Sequence, residues 1–497
     1  MSEEPSATRP YPSGFFGPLW RSLVPSSLWE RLPTIRNWLL LAVAVRVALM
    51  PLTMSVDGET TAYVATVLAY KGQLILSNDP PPVYYLTAAL LEPFRPILAN
   101  TPVQFFTGNG VYTPSALPQA LAATSPGFGV IATIIKIPYL FFDLGIALLL
   151  LRLAPSARVA VLALQIWALN PFAIYVSYVV GQYDVIATFF LVLCIYFFIR
   201  HRYLASGIAL GLATLFQIWP LVVLPIVLIY LGRNTPHARQ WARPMLSYVV
   251  PVVAGLGALA LIYHFQTVSY QSANLALGGD QLDGFYGTVL YNRGTVSQPL
   301  VQGITTFLGF TVAFSTMSPL GDMVILVAVV YFAILLFLAY GPRLEPMAVP
   351  ALASAFLLTY FAFSVFFVQW FLWAQPFVVL VVATDVRRLL PLYLILFIPY
   401  LIYSWLFGAP LWGQLLLMVY PPSYYWRSPL LVLNAAGLPG LLLANISRAF
   451  LTAVCLFFAY RAYREYVGVR SAAPPDGPRG VVENPPASGA PRAPVEP

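Results

Sequence analysis

The sequence predicts an all-α polytopic membrane protein, and three observations carry that expectation. Of its 497 residues, 59% are hydrophobic and only 9% are charged, whereas a soluble domain covers itself with roughly 25% charged residues. Its mean hydropathy of +0.78 is concentrated in apolar runs of membrane-spanning length. The links between many of those runs are short and hold most of the inter-helix arginines, while the remaining links are longer and poor in basic residues.

Residues 1–36 form a cytoplasmic or interfacial segment. Its start, "MSEEPSATRPYPSG", is polar and holds no cleavable signal pattern, so the first span is expected to direct insertion. From Gly14 to Arg31, Phe15, Phe16, Leu19 and Trp20 mix with Arg21 and Glu30, which suits a helix lying in the interface. The transmembrane domain occupies 37–470. Its spans read as about 37–54, 127–151, 159–178, 185–199, 203–232, 244–265, 323–340, 348–367, 371–384, 389–406, 429–443 and 449–463. At ~20 apolar residues per crossing this gives about eleven to thirteen transmembrane helices, with the shorter runs tilted or re-entrant. Residues 471–497, rich in Pro, Ala and Gly, cannot bury a core and are expected to be a disordered cytoplasmic tail.

Arginine placement sets the orientation. "LRLAPSAR", "RHRY", "RNTPHARQWAR", "GPRLEP" and "TDVRR" belong to the cytoplasm by the positive-inside rule. The long connections 55–126, 266–321 and 408–427 then lie outside. For the alternation to close, 203–232 must enter and leave on the cytoplasmic side. Its centre, "LFQIWPL", predicts two half-length helices meeting near Gln217, and broken helices in membrane proteins usually line a cavity.

The net charge of +8 resembles a nucleic-acid footprint, but its arginines mark topology, so no nucleic-acid partner is expected. Cys194 and Cys455 lie in apolar runs, which argues against a disulfide framework or a zinc site.

With orientation fixed, the acids sort themselves. Asp143 lies well inside a span, and Lys136 precedes it by seven residues, two helical turns that put both on one face. They are expected to pair, either to fix packing or to serve function. Asp57 follows the first span closely, with Glu59 and Tyr63 just beyond it and no basic neighbour before Lys71. It is either a solvated loop acid or a functional one, and the scarcity of charge favours function. Asp184, beside Gln182 in "GQYD", is placed at the outer mouth on the same side. Asp280 and Asp283 sit in a glycine-rich, turn-forming loop. His264 closes a span at the outer face, as a minor candidate. "FVQWFLWAQPF" sets Gln369, Trp370 and Trp373 at the outer boundary, as an interfacial belt or as aromatic faces suited to sugar rings.

In their order, these pieces resemble the GT-C superfamily of integral-membrane glycosyltransferases, which use polyprenyl-phosphate sugars. They are similar above all to mannosyltransferases that build glycolipid and lipid-linked glycan precursors, the catalytic subunits of the GPI mannosyltransferase I type among them. The segments are "VRVALMPLTMSVDGETTAYVATVLAYKG", "IKIPYLFFDLGIALLL", "LNPFAIYVSYVVGQYDVIATFFLVL", "ASGIALGLATLFQIWPLVVLPIVL" and "FVQWFLWAQPF". Together they cover about 46–376. One departure is Gln217, where the family often carries a lysine.

The resemblance implies extracytoplasmic transfer of a sugar, mannose by default, from a polyprenyl phosphate to a lipid or glycan hydroxyl. It implies that Asp57 is the catalytic base, with Glu59 as acid partner. Asp184, Gln182, Tyr63, Gln369, Trp373 and His264 are the candidate pocket. The leaving phosphate needs a cation near the outer leaflet. Arg293, in "LYNRGTVSQPL", and then Arg427, in "SYYWRSPL", are best placed by topology, and a guanidinium binds phosphate bidentately. No metal or other cofactor is required when arginine neutralises the phosphate, and a small membrane subunit is a further possible partner. The competing classes are a secondary transporter or lipid-linked-sugar flippase, and a non-catalytic subunit of a membrane complex. Transporters usually show two matching halves with a midplane site.

Overall fold

A computed structural model describes residues 24–53, 61, 64–66, 68–69, 72, 80–94, 128–234, 238–269, 319–341, 348–363, 369–407, 437 and 440–464. Among the described residues the regular elements are all helices. The polytopic all-α expectation holds. Among the described residues, five stretches are long and apolar enough to cross a bilayer, and shorter apolar helices accompany them.

A 3-10 turn, Ser26–Arg31, leads into α1, Leu32–Leu49. The short helix α2, Pro81–Leu91, follows. Next comes α3, Phe128–Leu153, and α4, Ala157–Ala168, capped by Ser156 Oγ accepting from the Val159 amide at 3.3 Å. The span beginning with α4 continues through a helical turn at Pro171–Ile174 and a π-helical turn at Tyr175–Val180. Asn170 restarts the helix after the break, its Oδ1 accepting from the Phe172 and Ala173 amides at 3.0 and 3.2 Å. Proline at the first helical position needs no such acceptor, so the Asn-Pro pair is a compact restart signal.

The helices α5, Asp184–Ile199, and α6, Tyr203–Phe216, form an antiparallel pair. As expected from "LFQIWPL", the chain breaks at Gln217, which is extended (φ −157°, ψ 138°), and turns through a 3-10 segment, Trp219–Val222. It then returns as α7, Val223–Asn234. The rest is α8, Ala238–Ser269; α9, Pro319–Tyr340; α10, Ala348–Phe363; a 3-10 segment, Gln369–Ala374; α11, Gln375–Thr384; α12, Val386–Phe407; and α13, Gly440–Tyr463.

One boundary differs from the sequence reading. Most of 429–439 lies outside the described residues, but the end of the expected span 429–443 and the whole of 449–463 lie in the single helix α13, which runs unbroken through Asn445–Arg448. That polar stretch contains neither proline nor glycine, so nothing in it stops a helix, and Ser447 is buried. Residues 1–23 and the tail 471–497 lie outside the described residues, as does most of the expected interfacial helix.

Close backbone contact fixes α6 against α8. A Cβ on Gly207 would lie 2.3 Å from the Tyr248 carbonyl oxygen, and one on Gly255 would lie 2.8 Å from that of Gly211. Small residues let membrane helices approach in this way, where dispersion rather than the hydrophobic effect drives packing. Aromatic rings fill the centre: Phe172 meets Tyr400 edge-on at 4.9 Å and Phe371 at 5.1 Å. The outer faces stay apolar, with Phe141 and Phe332 more than half exposed at 70% and 62%, as lipid contact requires.

The hydrogen bonds sort the helix ends into two groups. At one end, Arg233 donates to the carbonyls of Leu338, at 2.6 Å, and Gly341, and Arg461 pairs with Asp385 at 3.9 Å. These belong to the arginine-bearing links. At the other end, Thr53 bonds to Val179, Gln217 to Tyr183 and Trp373 to Asp184.

Candidate functional site

The exit of the first span and the approach to Asp184 are clasped together. Thr53 Oγ1 donates to the Val179 carbonyl at 2.8 Å. Lys136, on α3 and fully buried, donates to the carbonyls of Met50 at 3.1 Å, Tyr178 at 2.7 Å and Thr53. Those carbonyls belong to the ends of two helical segments, where backbone acceptors lack intrahelical partners and carry partial negative charge. The π-helical turn then ends at Gly181, whose φ of +80° suits a residue without a Cβ. This turn delivers Gln182, Tyr183 and Asp184 to the start of α5.

Lys136 and Asp143 do not pair, contrary to the expectation above. Asp143 instead binds Arg46 of α1, Nε to Oδ2, with both side chains 1% exposed. It also accepts from Trp167 Nε1 at 2.7 Å and Tyr178 Oη at 3.0 Å. Arg46 donates further to the carbonyls of Ala168 at 2.6 Å, Trp167 at 3.1 Å and Ala42 at 3.2 Å. The reason is distance: seven residues on one helix rise about 10 Å, while a guanidinium on the neighbouring helix can lie level with the carboxylate. Arg46 was not singled out from the sequence, although an arginine in an apolar span needs a carboxylate and Asp143 was in view.

Asp184 is 1% exposed, so it is not a solvated acid at an open mouth. Its Oδ1 accepts the Trp373 indole N–H at 2.7 Å, and its place at the first residue of α5 favours negative charge. Trp373 is itself buried and stacks on Trp219 of the broken hairpin at 4.0 Å and 11°, and on Trp370 at 5.2 Å and 23°. Trp373 is therefore set inside the bundle instead of in a lipid-facing belt, and the half-buried Trp219 and Trp370 extend the stack as a wall. Gln369, half-buried, starts the same 3-10 segment. Gln217 Nε2 donates to Tyr183 Oη at 3.0 Å, which ties the hairpin tip to the Asp184 turn. Trp219 Nε1 is buried and has no partner among the described residues.

The clasp, the Asp184 turn, the hairpin tip and the Trp370–Trp373 segment thus meet at one end of the bundle. Gln182 and Asp184 are buried there. Asp57, Glu59, Tyr63, Arg293, Arg427, Asp280 and Asp283 lie outside the described residues. His264 lies on α8, with its side chain outside them. Among the described residues no three metal-ligating side chains converge. Trp219, Tyr183 and Gln217 enter the site through the tertiary fold. Their sequence signal was the proline-broken hairpin, which located Gln217 but not its partner.

Over 196 residues the chain is 24% identical to GPI mannosyltransferase 1 of Debaryomyces hansenii, covering 35% of this chain and 47% of that protein. The chain thus spans about half the length of the curated relative it matches. No protein-family model matches, and no solved structure matches.

Proposed function

We propose that the protein is a membrane glycosyltransferase of the GT-C type. It moves a sugar, mannose by default, from a polyprenyl phosphate to a hydroxyl of a lipid or glycan acceptor on the extracytoplasmic side, with inversion. The similarity to a GPI mannosyltransferase supports the general class. The single observation that carries the site assignment is the Thr53–Val179 hydrogen bond. It brings the exit of the first span, four residues before Asp57, to the turn that leads into Asp184. Four residues of chain reach at most about 14 Å, so Asp57 has the Asp184 turn within range.

In this reading Asp57 takes the proton of the acceptor hydroxyl as its oxygen attacks the anomeric carbon. The bond from that carbon to the phosphate oxygen breaks on the opposite face, and the electron pair leaves with the polyprenyl phosphate. Glu59 is the neighbouring carboxylate, and Arg293 and Arg427 hold the phosphate charge, so the leaving oxygen needs no proton from a protein acid and no metal is required. The Trp219–Trp373–Trp370 wall offers aromatic surface beside the sugar. The helix α5 has 16 residues and is about 24 Å long, against a hydrocarbon core of about 30 Å. With its other end at the cytoplasmic boundary, this helix sets the Asp184 turn within about 6 Å of the outer one, close to the level of a lipid-anchored head group.

The test is transfer itself. Purified protein in liposomes with radiolabelled polyprenyl-phosphate mannose and extracted lipids is expected to yield labelled acceptor. The broken hairpin is also a feature of transporters, which gives the alternative a concrete signature. Movement of the intact donor across the bilayer without cleavage would identify a flippase.

A further inference from the structure

We infer that Lys136 is the positioning residue of the proposed reaction, clasping the exit of the first span to the turn that precedes Asp184. The inference rests on the reading above. It starts from an expensive arrangement: an ammonium 0% exposed in an apolar bundle, with carbonyl oxygens as its partners and no ion pair among the described residues. Taking such a charge out of water is costly, and intramembrane charges mark function by default.

The partners explain what the charge does. An ammonium has three donors, and the three carbonyls that receive them come from two separate chain segments. Met50 and Thr53 end the first span, four residues before Asp57 on the Thr53 side. Tyr178 lies in the π-helical turn, six residues before Asp184. Lys136 therefore fixes the anchors of both acids from a third element, α3. The Thr53 hydroxyl repeats the link on Val179. From below, the Tyr178 hydroxyl is held by Asp143, at 3.0 Å, within the Arg46 cluster, so the tyrosine joins the two networks.

A purely structural cap would affect how much protein folds. A positioning residue also affects the chemical step in the folded fraction, because misplacing a catalytic group by about 1 Å can cost about a hundredfold. The test uses Lys136→Met, which keeps length and removes the donors, and Lys136→Gln, which keeps an N–H group. Both are assayed in liposomes with radiolabelled polyprenyl-phosphate mannose, and rates are referred to folded protein. Amide exchange is measured over residues 50–53 and 178–182.

Lys136→Met is expected to lower kcat by roughly tenfold or more, with KM for the donor within about threefold, and to speed exchange in both segments. Lys136→Gln is expected to fall between it and the wild type. Unchanged kcat per folded molecule would overturn the inference, as would a loss confined to the yield of folded protein. If Lys136→Met gives no folded protein, Lys136→Gln is judged by the same criteria. A wild-type protein that transfers no sugar would defeat the functional reading alone. The exchange measurement would still decide whether Lys136 clasps the two segments.

Discussion

Arg46 on α1 and Asp143 on α3 form a buried ion pair whose remaining hydrogen-bonding positions are filled by Trp167, Tyr178 and the carbonyls of the α4 end. It fastens the first span to the span that carries Lys136 and to the turn that precedes Asp184. Removing one partner of such a pair leaves an uncompensated charge and costs about 3–5 kcal/mol, whereas replacing both by apolar residues of similar volume is often neutral. Arg46→Met and Asp143→Leu should each lower the unfolding temperature in detergent sharply. The double variant should recover a large part of that loss. Additive losses would show that the pair is not a coupled unit.

The α6–α8 contact leaves no space for side chains. Gly207→Val would drive its Cβ into the Tyr248 carbonyl, and overpacking costs about 1–3 kcal/mol or more. A clear fall in folded yield is expected. Gly257→Ala is the control, since among the described residues no atom from outside its own helical turn lies within 4 Å of its added Cβ. Equal behaviour of the two variants in size-exclusion profiles would contradict the packing.

The Asp184–Trp373 bond predicts a graded series. Asp184→Asn keeps an acceptor oxygen for the indole and should stay within about 1 kcal/mol of wild type. Asp184→Ala strands the buried Trp373 N–H, at about 1–3 kcal/mol. Trp219→Phe keeps a stacking ring while removing a buried donor without a partner, so its stability should hold or rise. If the wall borders the donor site, donor KM should nevertheless increase. An unchanged KM would detach the wall from the donor.

On the proposed reading, in which Arg293 holds the donor phosphate, Arg293→Ala should weaken binding of the polyprenyl-phosphate donor more than that of the acceptor. Equal donor affinity in a titration of the two proteins would assign the phosphate to another cation, with Arg427 next to be tested.

Much of the architecture was legible because lipid imposes simple rules on a chain. Run length located the apolar helices, and the proline in "LFQIWPL" gave the break at Gln217. What stayed hidden were choices between equally charged partners. Lys136 and Arg46 were both available to Asp143, and the nearer in sequence was the wrong one, because spacing along a helix says nothing of a neighbour's height. The split of the final helix failed for a related reason: polarity at Asn445–Arg448 marks a turn only where the backbone also has a breaker. The aromatic wall was visible as composition in "FVQWFLWAQPF", but its placement inside the bundle depended on Asp184 and Trp219, distant in sequence.

The central claim is that the first-loop carboxylate performs the proton transfer, and Asp57→Asn measures it most directly. General-base catalysis contributes about 10²–10⁴-fold. The variant, inserted and folded as wild type and binding the donor normally, should therefore lose mannose transfer by that order. Turnover near the wild-type rate in the same liposomes would contradict the account.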